Sequence, residues 1–104
     1  MNQLSVVAQL IEKSVLRYTP AGIPIATVVL KHDSKQKQAG VERLVDFEIN
    51  AIAAGEISAQ MLMIELGEFK CFSGFLARKN RNSKSIVFHV TDIAPVKNET
   101  HLLD

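Results

Sequence analysis

The sequence predicts an all-β fold: a small five-stranded barrel with one short helix between the third and fourth strands. Three observations predict it. Apolar and polar residues alternate with a period of two in several separate segments, cleanest in Arg43–Ala51. Helical spacing occurs in one place, Ile57, Met61 and Ile64, in a stretch bracketed by Gly55 and Gly67. A glycine, Gly74, interrupts an otherwise strand-like segment, as the bulges and tight bends of small barrels require.

Taken in order, Gln3–Ile11 carries Leu4, Val6, Ala8 and Leu10 on one alternation and forms the first strand. Arg17–Pro24 follows, where Pro20-Ala21-Gly22 with Pro24 two residues on is turn punctuation. Ile25–Lys31 is rich in β-branched residues and forms the second strand. His32–Gly40 is polar, ends in glycine and is expected to be an exposed loop. In the third strand, Arg43–Ala51, the residues Val45, Phe47, Ile49 and Ala51 form the expected buried face. Leu44, Asp46, Glu48 and Asn50 form the other. The helix is expected over Glu56–Leu66, with its methionines filling core, and Gly67 stops it. Glu68–Ala77 is the fourth strand, Arg78–Ser83 a polar turn and Ile86–Ile93 the fifth strand. Pro95 ends the regular structure. Residues 1–96 then make one domain, and 97–104 a short flexible tail. Three strands, a helix and two strands is the plan of the OB-fold, which commonly binds oligonucleotides on its strand 2–3 face and through the loops joining strands 1–2 and 4–5.

Bulk properties narrow the function. With 104 residues, 47% hydrophobic and 22% charged, the chain has the composition of a single globular domain, not of a disordered one. No apolar run approaches the roughly 18–20 residues that span a bilayer. The start, Met1–Ser14, lacks the basic and apolar regions of a signal peptide, so a cytoplasmic location without a membrane partner is expected. The single cysteine, Cys71, can form no internal disulfide and is a poor basis for a zinc site; it reads as a strand residue. His32, His89 and His101 are scattered. With no phosphate loop, metal-ligand spacing or nucleophile grouping, no enzyme, cofactor or metal is expected.

Charge is focused. Arg78, Lys79, Arg81 and Lys84 lie within seven residues that contain no acid, and the remaining 8 basic and 11 acidic residues sum to −3. Binding of single-stranded nucleic acid needs cations to replace phosphate counterions and flat surfaces on which bases stack. The strand 4–5 turn offers those four cations, the strand 1–2 loop offers Arg17 and Tyr18, and the strand 2–3 loop offers Lys31, Lys35 and Lys37. Aromatic support is thin. There is no tryptophan, Tyr18 is the best stacking candidate, and Phe47, Phe69, Phe72 and Phe88 are expected in the core. Phe75 could be either. An electrostatic grip that weakens steeply with salt is expected.

Arg17-Tyr18-Thr19-Pro20-Ala21-Gly22-Ile23-Pro24 with Val29-Leu30-Lys31-His32, and Gly74-Phe75-Leu76-Ala77-Arg78-Lys79 with Val87-Phe88-His89-Val90-Thr91-Asp92-Ile93, resemble the primosomal replication protein N (PriB) family, most of all its β-proteobacterial branch. The resemblance covers about residues 2–95. It implies an OB-fold homodimer related to bacterial single-stranded DNA-binding protein. It also implies binding to single-stranded DNA and to the PriA helicase during replication restart, in some bacteria with DnaT as a further partner. The family's DNA-contacting basic residues map to Lys79, Arg81, Lys84 and Arg17. The sequence departs from the family pattern at Asp46, where some members carry tryptophan, at Val41, an aromatic position, and at Asp33, a basic one. These departures weaken the case for base stacking and for DNA contact near strands 2 and 3. Three alternatives stand beside this expectation. A general single-stranded DNA-binding protein would carry an acidic tail that Lys97–Asp104 does not offer. An OB-fold interaction module would bind no nucleic acid, and a barrel nuclease would use Asp46 and Glu48.

Overall fold

The computed structural model describes residues 1–96. The tail expected at 97–104, with His101, lies outside them. Among the described residues six strands and one helix occur in the order β1 (Leu4–Lys13), β2 (Arg17–Tyr18), β3 (Pro24–Gln38), β4 (Val41–Ala54), α1 (Ile57–Met63), β5 (Phe69–Arg78) and β6 (Ile86–Ala94). The sheet order is β1-β5-β6-β4-β3-β2, and β1 also pairs with β3. That second pairing closes a five-stranded OB-fold barrel, with β1, β3, β4, β5 and β6 as its staves. β1 serves both neighbours in succession: Leu4–Gln9 pairs with β5 and Gln9–Lys13 with β3. A register shift between Leu10 and Glu12 turns it from one to the other.

The core follows from alternation. Val6, Ala8 and Leu10 from β1, Ala26, Val28 and Leu30 from β3, Ala51 and Ala53 from β4, Phe72 from β5, and Phe88 and Val90 from β6 all point inward and are buried. Two large rings, Phe72 and Phe88, face four alanines, the large-and-small mixture that fills a narrow barrel. Helix α1 packs on β3, β4 and β6 and buries Met61 completely. The helix is shorter than its apolar spacing predicted. Ile64 is already extended, and Gly67, at φ +89°, turns the chain so that its amide bonds the Leu10 carbonyl at 2.7 Å.

Gly74 behaves as predicted. The β5–β6 register shifts beside it, where Ser73 faces Asp92 and Gly74 faces Val90, which leaves Thr91 as the extra residue. This bulge also explains the change of phase between Val90 and Ile93 that the sequence of β6 shows. Cys71 is a half-buried strand residue, as expected.

Two expectations are corrected. The segment His32–Gly40 is not a loop. β3 continues unbroken to Gln38 and pairs residue by residue with β4 down to Gln38 and Val41. The turn is only Ala39-Gly40, both at positive φ (54° and 78°), the conformation of a tight two-residue hairpin. A polar strand resembles a loop in composition, because neither face of this ribbon meets the core. Second, Arg17 and Tyr18 are not loop residues. They form β2, paired with Ile25 and Pro24, and the loop after them is pinned by Thr19, whose hydroxyl accepts the Ile23 amide at 3.1 Å.

Candidate nucleic-acid interface

The strand 4–5 turn of the prediction lies between β5 and β6. It is braced by its own polar groups. The Lys79 amide donates to the Ser85 carbonyl at 2.9 Å, the Asn82 amide to Asn80 Oδ1 at 3.0 Å and the Ser85 amide to Ser83 Oγ at 3.0 Å. Arg78 joins the bracing through a 2.8 Å bond from its guanidinium to the Arg81 carbonyl. Its role is therefore partly structural. Lys79, Arg81 and Lys84 are exposed. Among the described residues the ion pair present is Lys70–Glu68 at 3.4 Å, away from the turn, so no carboxylate neutralises these cations. A pre-ordered turn that presents unpaired cations can exchange counterions for phosphates without first paying to order itself.

Lys31, Lys35 and Lys37 sit on β3, not in a loop, and their strand partners are Glu48, Leu44 and Glu42. The same face carries Asp33 directly opposite Asp46. Three lysines thus share the outward face of the ribbon with four carboxylates, and this face is charge-mixed where the β5–β6 turn is purely cationic. The opposite face of the ribbon carries His32 across from Phe47, with ring centroids 4.9 Å apart. His32 Nδ1 donates to the Val7 carbonyl at 2.7 Å, and the Ser34 hydroxyl lies 2.8 Å from Nε2. This ties the root of the ribbon to β1.

Register places these groups relative to one another. Phe88 pairs with Ala51 in the parallel β4–β6 contact, so Ile86, where the basic turn ends, is level with Ile49, beside Glu48 and Lys31. The turn and the root of the ribbon therefore share one end of the outward face. Arg17 and Tyr18, level with Ile25 and Ala54, lie at the other end. From Lys31 to Ile25 along β3 is about 20 Å at roughly 3.3 Å per residue. The structure gathers the cations into two ends of one face, and Lys35 and Lys37 stand farther out on the ribbon.

Three aromatic placements were missed or left open by the alternation. Phe47 is 38% exposed and Phe69 50% exposed, not in the core. The inward alternation of β4 reaches true burial only at Ala51 and Ala53; towards the ribbon the same alternation emerges from the barrel. Phe75 is on the surface, stacked on His89 at 4.8 Å and 7° between ring planes. Its place on the alternation opposite to the buried Phe72 is the signal that would have found it. Tyr18, paired with Pro24 on β2, is 65% exposed.

The model of a family described as another single-strand binding protein family matches residues 2–92. The chain is 40% identical over 91 residues to the replication restart protein PriB of Nitrosomonas europaea, covering 88% of this chain and 84% of the relative. It is 40% identical over 91 residues to PriB of Neisseria gonorrhoeae, covering 86% and 90%. Among solved structures, PriB of Ralstonia solanacearum superposes with a TM-score of 0.86 at 37% identity, over 93% of this chain and 99% of the other. Fold and sequence agree along nearly the whole described length, and the chain belongs to the PriB family of replication restart proteins, within the single-strand binding protein family.

Proposed function

We propose that the chain binds single-stranded DNA as a non-enzymatic accessory protein of the replication-restart primosome, with Lys79, Arg81 and Lys84 as its principal phosphate contacts. The observation that carries this reading is the acid-free, exposed turn between β5 and β6 on a scaffold whose relatives are named for replication restart. Arg17 and Tyr18 are assigned to the far end of the same path, Arg17 to a phosphate and Tyr18 to a base. Arg78 is assigned both to the turn and to the DNA. Lys31 contributes at the near end, with Lys35 and Lys37 secondary because carboxylates share their face. Asp46 opposes Asp33 and Glu48 opposes Lys31, an arrangement this reading assigns to partner contact and not to cleavage. Among the described residues no helix is long and apolar enough to cross a membrane, and a DNA-bound role assigns the protein to the cytoplasm.

The same reading includes a homodimer and the PriA helicase as partner, with DnaT where a cell contains it. Residues Leu4–Ala8 of β1 have a strand neighbour on one side only, and Val7 and Phe47 beside that edge are exposed. An open edge next to apolar side chains supports pairing with a second copy. A titration of fluorescein-labelled oligo-dT by anisotropy, at low and at physiological salt, tests the DNA assignment. A pull-down of the cognate helicase with and without the oligonucleotide tests the partner. Retention of the helicase without any oligonucleotide binding would instead favour a protein-interaction module, a reading to which the mixed charge of the ribbon lends some weight.

A further inference from the structure

A groove of about 520 Å³ opens on the outward face between α1 and the β5–β6 pair. Its apolar lining includes Ile52, Ile57 and Phe75, and the last is backed by His89. Glu56, the residue before α1, and Asp92, beside the β6 bulge, also line it. Among the described residues no lysine or arginine does. Arg17 is one strand removed, on the far side of β3. Among the described residues neither Glu56 nor Asp92 has an ion-pair partner, and the Glu56 side chain does not cap the helix it precedes.

This chemistry is the opposite of the basic turn. Two carboxylates over an apolar floor repel a phosphate chain. They attract a side chain with an apolar stem and a cationic tip. One face of the Phe75 ring is taken by His89, and the residue remains 40% exposed. A planar guanidinium can stack on an aromatic face and still reach a carboxylate through its forked donors, which a compact ammonium does less well. We propose that this groove docks an arginine side chain presented by a partner protein, its stem on Ile52 and Phe75 and its guanidinium between Asp92 and Glu56. The site does not depend on the DNA-binding reading. It would let one barrel hold nucleic acid on its basic turn and a basic protein segment on its acidic groove together.

The test is an NMR titration of the isotope-labelled full chain, which reads weak binding directly. The probes are a short amidated peptide with one central arginine, the same peptide with lysine, the same with uncharged citrulline, and oligo-dT. The expected result is that the arginine peptide shifts the amides of Ile52, Phe75, His89 and Asp92. The lysine peptide shifts them less, and the citrulline peptide leaves them unmoved. The double variant Glu56→Gln/Asp92→Asn, conservative and on the surface, should bind the arginine peptide about tenfold more weakly, the effect of losing two exposed ion pairs, with oligo-dT binding unchanged. Equal binding by the double variant, or shifts centred on the basic turn, would overturn the proposal. So would oligo-dT shifting the groove amides and displacing the peptide, which would give the groove to DNA. Groove signals that change on dilution without peptide would give it to a second copy, and also overturn it.

Discussion

Gly74 and His89 approach so closely across β5 and β6 that a Cβ on Gly74 would lie 1.8 Å from the His89 carbonyl oxygen and 2.8 Å from its carbon. These are backbone atoms in the middle of a ladder and cannot rotate away. Gly74→Ala must therefore open the β5–β6 contact at its bulge. A loss of about 2–4 kcal/mol is expected, at the upper end for a single substitution. Urea denaturation followed by circular dichroism checks it. A variant as stable as the parent would mean that the bulge relaxes freely.

His32 fastens the ribbon to the barrel. It bonds the Val7 carbonyl on β1 and packs on Phe47 of β4. His32→Ala removes both contacts, with an expected cost of about 1 kcal/mol. The local consequence should exceed the global one. Hydrogen exchange over 33–46 should accelerate while the amides of Val28 and Phe72 stay protected. Uniform acceleration would contradict the fastening role.

These two positions show how far the sequence could be read. Gly74 was legible, because a glycine inside a strand has few other uses. The barrel, the single helix and the basic turn were legible for the same kind of reason, each resting on local periodicity or on a local absence of acid. The ribbon was not. His32–Gly40 is polar on both faces because it leaves the core, so neither face gives the apolar alternation that marks a strand. Phe47 kept the alternation of β4 and was assigned to the core, but the rest of the barrel does not extend to cover it. The carboxylates that share the face of Lys31, Lys35 and Lys37 are distant in sequence and become neighbours only through the β3–β4 register. The groove at Glu56 and Asp92 joins a helix start to a strand bulge, which no local pattern reveals.

Asp33 and Asp46 stand directly opposite on the outward face of that ribbon. Like charges at such a pair destabilise the hairpin and repel phosphate. Asp46→Trp removes one carboxylate and adds a stacking surface, for which about 1–3 kcal/mol per base is typical. Tighter binding of oligo-dT by at least about fivefold is expected, read by anisotropy at fixed salt. Unchanged affinity would show that DNA does not pass over this face, and would confine the contacts to the β5–β6 turn and β2.

The central claim is that the turn between β5 and β6 grips phosphate. Each phosphate contact on a single strand contributes roughly 0.7 to the slope of log affinity against log salt concentration. The decisive measurement is that slope for oligo-dT, compared between the parent chain and the triple variant Lys79→Glu/Arg81→Glu/Lys84→Glu. The turn's backbone bracing uses none of these three side chains, so the fold should hold. A slope shallower by about 2, with affinity reduced alike for every oligonucleotide sequence, is the predicted result. An unchanged slope in the folded variant would contradict it.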